Sequence, residues 1–263
     1  MESDSCHSER REKVSLAVAL LLRVPRIGNG KRRLASSLGD KLALDVYSAL
    51  CSHVLSACST STRTLALHDG FDNSHNTDLI NKHLMPTHCQ HNTLINIQCG
   101  STLGQRVHNA LLQAFSSEGF TYAAVCASDV PSLSASDISQ CNSLLQHYDA
   151  VLGPSPDGGF YILALARPIR SSALDQISWS TDRARTSCRN VLEAEGFSVA
   201  PDECMRSLMD IDSHSDLFTW LSLGNDSDVA HRAEESELRQ CLCSMLSNNG
   251  AATDQCAHLS VSS

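Results

Sequence analysis

The chain has 263 residues, of which 42% are hydrophobic and 19% charged, so it holds enough apolar material for a substantial folded core. This composition excludes a disulfide-stapled miniprotein and a wholly disordered chain. The formal charge of −9 arises from 29 acidic and 20 basic residues, and it disfavours binding to polyphosphate backbones and anionic lipid. We therefore expect no nucleic-acid partner and no membrane insertion.

The first predicted element is an apolar run over 14–22, preceded by the basic residues Arg10, Arg11 and Lys13. A signal anchor has a similar beginning and is the alternative. A buried parallel strand is favoured, because the run is much shorter than the roughly 20 residues that span a bilayer and such strands are continuously apolar. The twelve cysteines are scattered and contain no CxxC pair, which indicates free thiols and a cytoplasmic protein.

Strand and helix patterns then alternate along the chain. Further strands are predicted at 64–68, 94–98, 122–127, 150–153, 160–166 and 209–211. Helices are predicted at 40–58, 103–115, 134–147, 181–195 and 213–223, the third and fifth of them capped by serine. This alternation is typical of an α/β fold, here a three-layer α/β/α sandwich with a mostly parallel central sheet.

The domain is predicted to cover residues 14–222. Residues 1–13 and 224–263 are expected to be flexible tails, because the composition after 223 becomes polar and only 238–246 has a helical pattern. The histidine-rich stretch 75–91 lacks metal-ligand spacing and is interpreted as a polar insertion.

A basic loop follows the first predicted strand. From Arg23 to Arg33 it contains five cations, no anion, and the glycines Gly28 and Gly30. Ligands of open α/β sheets bind beyond the carboxyl ends of strands, where glycines let backbone N–H groups approach a phosphate and basic side chains neutralise it. A solvated basic turn has the same composition, so the loop alone leaves both interpretations open.

Aspartates follow at two later points. Asp129 comes directly after the apolar stretch 122–127, and Asp210 and Asp212 lie two residues apart in an extended segment. Carboxylates in such positions bind hard divalent cations that hold a pyrophosphate. Caps of helices or turns are the alternative role of these aspartates.

Three further motifs carry less specific signals. The loop Asp157-Gly158-Gly159 allows positive φ angles and a close approach to a sugar or nucleotide, although a tight hairpin needs the same residues. Arg106 stands one turn into a predicted helix, where it reaches either an anionic ligand or a surface salt bridge. The segment 179–181 is expected to cap the next helix.

The order of these motifs resembles the GT-A-fold glycosyltransferase-like family of nucleotide-diphospho-sugar transferases, which is similar to the molybdenum-cofactor and phospholactate guanylyltransferases. The resemblance covers roughly residues 14–222, and its most specific part is the Asp-Gly-Gly loop. The matching stretches are Pro25–Leu34, Gln98–Arg106, Ser128–Leu133, Asp149–Tyr161, Trp179–Thr181 and Asp210–Leu217.

The resemblance implies a nucleotide diphosphate held by the basic loop and by Mg²⁺ or Mn²⁺. It implies that Asp129, Asp212 and Asp210 bind the metal and that Lys31 and Arg33 contact phosphates. The remaining residues expected at the nucleotide or its pocket are Gly28, Gly30, Arg106, Gly158 and Gly159, with Lys31 and Asp157 in catalytic roles.

The expected function is therefore that of a metal-dependent transferase with a nucleotide-activated donor: it transfers the sugar of a nucleotide-diphospho-sugar to a small-molecule acceptor and releases the nucleoside diphosphate. The enzymatic alternative is a nucleotidyltransferase that joins a nucleoside monophosphate to a phosphorylated small molecule and releases pyrophosphate. A non-catalytic nucleotide-binding or scaffold domain is the alternative from another class. The base, the sugar and the acceptor have no recognisable code in the sequence.

Overall fold

A computed structural model describes residues 15–29, 31–59, 62–70, 73–223 and 232–251 of the chain. These residues contain one six-stranded sheet. Its strands are Leu16–Leu22 (β1), Arg63–His68 (β2), Thr93–Ile97 (β3), Tyr122–Cys126 (β4), Ala150–Pro154 (β5) and Phe160–Leu165 (β6). The strand order is β3-β2-β1-β4-β6-β5, and β6 alone runs opposite to the other five strands. The predicted mostly parallel sheet is confirmed.

Helices connect these strands and follow them. They are Arg32–Leu38 (α1), Asp40–Ser59 (α2), Asn73–His83 (α3), Leu103–Phe115 (α4), Ala135–Leu144 (α5), Ser171–Leu174 (α6), Ala184–Ala194 (α7), His214–Ser222 (α8) and Arg232–Asn248 (α9). The serine caps predicted for two of them are confirmed: Ser134 and Ser213 each form a capping box, at the start of α5 and α8.

The sheet lies between two layers of helices. Every residue of β1 except Leu21 is buried, and because successive side chains of a strand point to opposite faces, both faces of the sheet must be covered. Leu16, Val18 and Leu20 pack with apolar residues of α2, α3 and α5. Ala17 and Ala19 pack on the other face with residues of α4 and α7. The three-layer α/β/α sandwich is thus the observed architecture.

A third apolar cluster joins α1, α2, α8 and α9. Trp220 of α8 and Leu242 and Leu246 of α9 are almost fully buried there. Helix α9 lies within residues 224–263, which were predicted to be a flexible tail, so part of that stretch contributes to the core. The limits 14–222 remain a prediction, and residues 1–14, 224–231 and 252–263 lie outside the described residues.

Two sequence-based assignments differ from the structure. Residues 209–211 form no strand. A single backbone hydrogen bond joins Ile211 N–H to the carbonyl of Asp129 (3.0 Å), which is too little to form a ladder. The stretch 75–91 includes most of α3 and a 3₁₀ turn at Thr87–Cys89. Most of its residues are polar, so the sequence gives little sign of the two buried residues Ile80 and Leu84, which are spaced one helical turn apart.

By length and composition, α2 is the one described helix that could cross a membrane. Within the protein, 61% of its apolar window is buried. Its buried residues belong to two of the three apolar clusters, as expected for a core helix.

Candidate active site

Parallel pairing of β1 with β4 places the loops after these strands side by side at one edge of the sheet. The first loop contains Lys31, which occupies the position directly before α1, and the second contains Asp129. The ammonium group of Lys31 donates a hydrogen bond to Asp129 Oδ2 across 98 positions of sequence. The basic loop and the first predicted metal ligand therefore meet.

A third segment joins them. The hydrogen bond from Ile211 N–H to the carbonyl of Asp129 holds the 210–212 segment against the second loop. Asp212 accepts hydrogen bonds from Lys31 Nζ on Oδ1 (2.7 Å) and from Arg33 Nη2 on Oδ2 (2.6 Å). Its side chain thus faces the basic loop, while Ser213 performs the helix-capping role that was the alternative for Asp212.

The carboxylates of Asp129, Asp210 and Asp212, hereafter the acidic cluster, each offer an oxygen within 4.8 Å of the others. Carboxylate oxygens are the ligands that hard divalent cations prefer. No residue in the described part of the chain forms an ion pair with Asp210. The donor set and its excess negative charge fit a cation such as Mg²⁺ or Mn²⁺, with Asp129, Asp210 and Asp212 as its ligands.

The pKa values of these groups report the same charge arrangement. Burial lowers the Lys31 pKa, but the neighbouring Asp129 and Asp212 outweigh it and raise that pKa overall, so Lys31 stays protonated. Burial acts to raise the Asp212 pKa, yet Lys31 and Arg33 hold it below its usual value. For Asp210, burial and the negative charges of Asp129 and Asp212 outweigh the opposing effect of Lys31 and raise the pKa to about 6. A bound cation would relieve this repulsion.

A cavity of about 470 Å³ opens beside these ion pairs. Four cationic side chains surround it, and we call it the basic cavity. Its lining residues are Leu21, Arg23, Lys31, Arg32, Arg33, Tyr47, Ser128, Asp129 and Asp212. A polyanion such as a diphosphate matches this lining in charge, because guanidinium and ammonium groups form charge-assisted hydrogen bonds to phosphate oxygens.

The start of the basic loop is fixed by side chains from elsewhere in the fold. The Tyr47 hydroxyl of α2 accepts from Arg23 N–H (2.8 Å) and donates to the Arg23 carbonyl (3.1 Å). Asp69 accepts from Val24 N–H (2.9 Å). The Gln98 amide donates to carbonyls at the ends of β1 and β2. The loop therefore leaves the sheet in a defined direction, which brings Lys31 to the acidic cluster.

A second cavity of about 500 Å³ adjoins the first and shares Leu21, Arg33 and Asp212 with it. The rings of Phe160 and Trp179 form part of its wall, 5.8 Å apart at their centroids, and we call it the aromatic cavity. Other lining residues include Val107, Asp157, Gly159, Thr181, Asp182 and Asp210. Its mixed polar and aromatic wall suits an uncharged polar group such as a sugar.

The Asp-Gly-Gly loop forms one side of the aromatic cavity. Asp157 Oδ1 accepts from Gly159 N–H (2.9 Å), which orients the carboxylate. Gly158 has a φ of +87°, and a Cβ there would lie 1.9 Å from the carbonyl oxygen of Asp182. The loop thus needs glycine at 158 both for its conformation and for close packing against the segment before α7.

The other predicted residues that the structure describes lie at a small cleft, on α4 and in the segment before α7. Gly28 has a φ of +79° and lines a small cleft next to Lys31, and Gly30 lies outside the described residues. Arg106 donates to the carbonyl of Gly100 (3.2 Å) and lines neither cavity. The segment 179–181 lines the aromatic cavity. The prediction that it caps the next helix is wrong, because the N-cap residue of α7 is Arg183; Thr181 Oγ1 accepts from Arg183 N–H (3.2 Å) in the turn before it.

Comparison with known proteins agrees with this architecture. Residues 54–181 match a family described as an uncharacterised protein conserved in bacteria, DUF2064. No curated protein matches the chain in sequence. A crystal structure from Desulfovibrio desulfuricans G20, described as a candidate nucleotide-diphospho-sugar transferase, superposes with a TM-score of 0.74 at 19% identity, covering 94% of this chain and 98% of that one.

Two other solved structures superpose less closely. A cytidylyltransferase from Leptospira borgpetersenii gives a TM-score of 0.49 at 11% identity, with 90% of this chain and 96% of that one covered. A 4-diphosphocytidyl-2C-methyl-D-erythritol synthase from Anaerococcus prevotii gives 0.48 at 8% identity, with 78% and 96% covered.

The chain has the nucleotide-diphospho-sugar transferase fold. The GT-A-like resemblance carried by the sequence motifs is therefore confirmed at the level of the fold. In this chain the basic cavity and the acidic cluster lie beyond the carboxyl ends of β1 and β4, where ligands of open α/β sheets bind.

One contributor to the site has no recognisable signal in the sequence. Tyr47 lies on the apolar face of α2 among residues such as Val46 and Leu50, so its contact with the basic loop becomes visible only in the structure. Phe160 lies in the matching stretch Asp149–Tyr161, where the sequence predicts a strand but not that its ring lines a cavity. Trp179 belongs to the matching stretch Trp179–Thr181, but it is expected there to cap a helix and not to line a cavity.

Proposed function

We propose that the protein is a metal-dependent transferase that uses a nucleotide-diphospho-sugar as donor and a small molecule as acceptor. The observation that supports it is the convergence of Lys31, Asp129 and Asp212, from three separate segments, between a basic cavity and an aromatic cavity. The two cavities share a border at Asp212, so a diphosphate in one would place its attached group in the other.

In this proposal the basic cavity binds the diphosphate of the donor. Lys31, Arg33 and the exposed Arg32 would neutralise its oxygens, and Asp129, Asp210 and Asp212 would hold Mg²⁺ or Mn²⁺. A bound divalent cation would stabilise the negative charge that develops on the leaving diphosphate. The preorganised cations would serve the same purpose with little reorganisation during the reaction.

The aromatic cavity would receive the transferred group and the acceptor. Phe160 and Trp179 offer apolar surface for a sugar ring, and Asp157 is oriented by its bond to Gly159 N–H. We assign Asp157 the role of accepting the proton of the acceptor hydroxyl. Gly159 allows the ligand to approach the backbone closely, because it carries no Cβ.

Nucleotidyl transfer with release of pyrophosphate is the second candidate. One observation favours it: four cations line the basic cavity, and a nucleoside triphosphate carries more negative charge than a nucleotide-diphospho-sugar. The two reactions differ in their products. Mass spectrometry of turnover mixtures would detect a nucleoside diphosphate in glycosyl transfer and pyrophosphate in nucleotidyl transfer.

The first experiment is a thermal-shift screen with UDP, GDP, CDP, ADP and their sugars, each with and without Mn²⁺. A ligand at 100 times its dissociation constant adds about 2.7 kcal/mol to the free energy of unfolding, which is measurable. We expect stabilisation by one nucleotide series, only with Mn²⁺, and its loss in Asp129→Asn. Equal stabilisation with and without Mn²⁺ in both proteins would instead indicate a non-catalytic nucleotide-binding domain.

A further inference from the structure

Lys31 occupies an unusual position for a phosphate-binding residue. Its ammonium group donates to one oxygen of Asp129 and to Asp212 Oδ1 (2.7 Å), while its side chain is only 10% exposed. Arg33 donates to the other oxygen of Asp212 (2.6 Å). Both oxygens of Asp212 therefore already accept a hydrogen bond from a cationic side chain.

A divalent cation needs the same carboxylates. Mg²⁺ lies about 2.0–2.1 Å from its oxygen ligands, and the Lys31 nitrogen is already in direct contact with an oxygen of Asp129 and an oxygen of Asp212. The ammonium group and the metal ion repel each other and compete for one space. Because both oxygens of Asp212 already accept hydrogen bonds, we expect a cation bound by both carboxylates to displace Lys31 from at least one of them.

The displaced ammonium group requires a new anion, because a buried charge without a partner is costly. Lys31 lines the basic cavity together with Arg23 and Arg32. In the described residues, neither arginine forms an ion pair with a carboxylate. A diphosphate in this cavity would supply the anion that Lys31 loses when the metal binds.

Resting on the proposed function, we infer that Lys31 couples metal binding to nucleotide binding. Without ligands it acts as an internal cation that neutralises Asp129 and Asp212 and keeps the metal affinity low. When a nucleoside diphosphate binds, Lys31 transfers its hydrogen bonds to the phosphate and the carboxylates become available to the metal. By linkage the metal must then strengthen nucleotide binding by the same factor.

The test measures Mn²⁺ binding by electron paramagnetic resonance, which detects the free ion, in wild type and in Lys31→Met. Methionine keeps the length of the chain and removes the charge. We expect Lys31→Met to bind Mn²⁺ alone at least about fivefold more tightly than wild type, at the lower end of typical couplings. The strengthening of Mn²⁺ binding by UDP, GDP, CDP or ADP should fall by a similar factor in the variant.

Arg26→Met is the matched control. Arg26 belongs to the same loop, but its guanidinium group donates to Asn76 Oδ1 (2.6 Å) and not to the acidic cluster. Removing its charge should change the Mn²⁺ affinity by less than about twofold, since exposed charges act weakly at a distance. If Lys31→Met does not fold, as judged by its melting curve, Lys31→Gln is measured in the same way.

The outcomes separate the inference from the proposed function. If wild type binds Mn²⁺ with a nucleotide but the Lys31 variant gains no affinity for Mn²⁺ alone, the coupling role is wrong and the transferase proposal stands. An equal gain in Arg26→Met would also overturn it, because the effect would then be general electrostatics. If wild type binds no Mn²⁺ with any nucleotide, both proposals fail.

Discussion

The two cavities of the site are held in shape by different forces. Six of the nine residues that line the basic cavity carry a charge, against five of eighteen in the aromatic cavity. Ion pairs among Lys31, Arg33, Asp129 and Asp212 define the first. Close backbone packing at Gly158 and an aromatic pair define the second. The first should therefore respond to the charge of a ligand and the second to its shape.

Asp212 belongs to both cavities, so its substitution should have the largest effect. Asp212→Asn removes a proposed metal ligand and the anionic partner of Lys31 and Arg33. We expect kcat/KM to fall by roughly 10²- to 10³-fold, as for the loss of one group that stabilises developing charge. Steady-state kinetics with the donor found in the nucleotide screen measures it.

The control for this variant is Asp78→Asn, an exposed carboxylate on α3. It removes the same charge from the protein without touching either cavity, and its kcat/KM should equal that of wild type. A loss of less than about threefold in Asp212→Asn would contradict the shared role of this residue.

The charged residues of the basic cavity are the part of the site that is most easily predicted from sequence. Lys31, Asp129 and Asp212 are recognisable because charged residues after apolar strands are rare outside sites, and because parallel strands bring their carboxyl ends to one edge. Their mutual contacts follow from the pairing of β1 with β4 and from one backbone hydrogen bond at Ile211. The sequence pattern contains no information on that last bond.

Packing contributions are harder to predict. The helix α1 has seven residues and only one that is fully buried, Leu34, so its pattern is too short to distinguish from a basic loop. In α3 the buried residues are few and the surface is strongly polar, which hides the helical period. Residues 209–211 have the alternation of a strand, but so does any short extended segment. Where strands and helices have long apolar patterns, the sequence predicts their ends to within a few residues.

Gly158→Ala should have the second largest effect, because it disturbs the aromatic cavity through its backbone. A Cβ at 158 would lie 1.9 Å from the Asp182 carbonyl oxygen, in a residue whose φ is +87°. We expect the free energy of unfolding to fall by at least about 2 kcal/mol and the KM for the acceptor to rise. Chemical denaturation and kinetics measure the two.

Gly196→Ala is the control that separates backbone strain at a positive φ angle from a steric clash of the added Cβ. Gly196 has a similar φ of +75°, but nothing lies within 4 Å of its added Cβ. It should cost about 1 kcal/mol through the left-handed conformation alone and leave both KM values unchanged. Equal losses of stability in the two variants would show that the packing against Asp182 is unimportant.

Trp179→Leu should weaken the aromatic cavity without affecting the basic one. It removes the partner of Phe160 and the hydrogen bond from Trp179 Nε1 to the Leu174 carbonyl (2.9 Å). Aromatic pairs contribute about 0.5–1.5 kcal/mol beyond their buried area, so we expect the acceptor KM to rise about tenfold. Calorimetry should find the nucleoside diphosphate affinity unchanged, and Trp179→Phe, which keeps a ring, should lose less. Parallel losses of both ligands would mean that the cavities do not act separately.

Arg32→Gln should produce the smallest effect and the opposite selectivity. Arg32 is exposed and lines the basic cavity, so its attraction to a diphosphate is screened by solvent and salt. We expect about threefold weaker nucleoside diphosphate binding at low ionic strength, a smaller loss at high salt, and an unchanged KM for the acceptor. The control is Arg63→Gln, which removes the same charge at the start of β2, away from the carboxyl edge of the sheet. Both substitutions change the net charge equally. A weaker nucleoside diphosphate affinity in Arg32→Gln than in Arg63→Gln would therefore show a local contribution of Arg32 to the basic cavity. Equal affinities of the two variants would assign the effect to the overall electrostatic field of the protein.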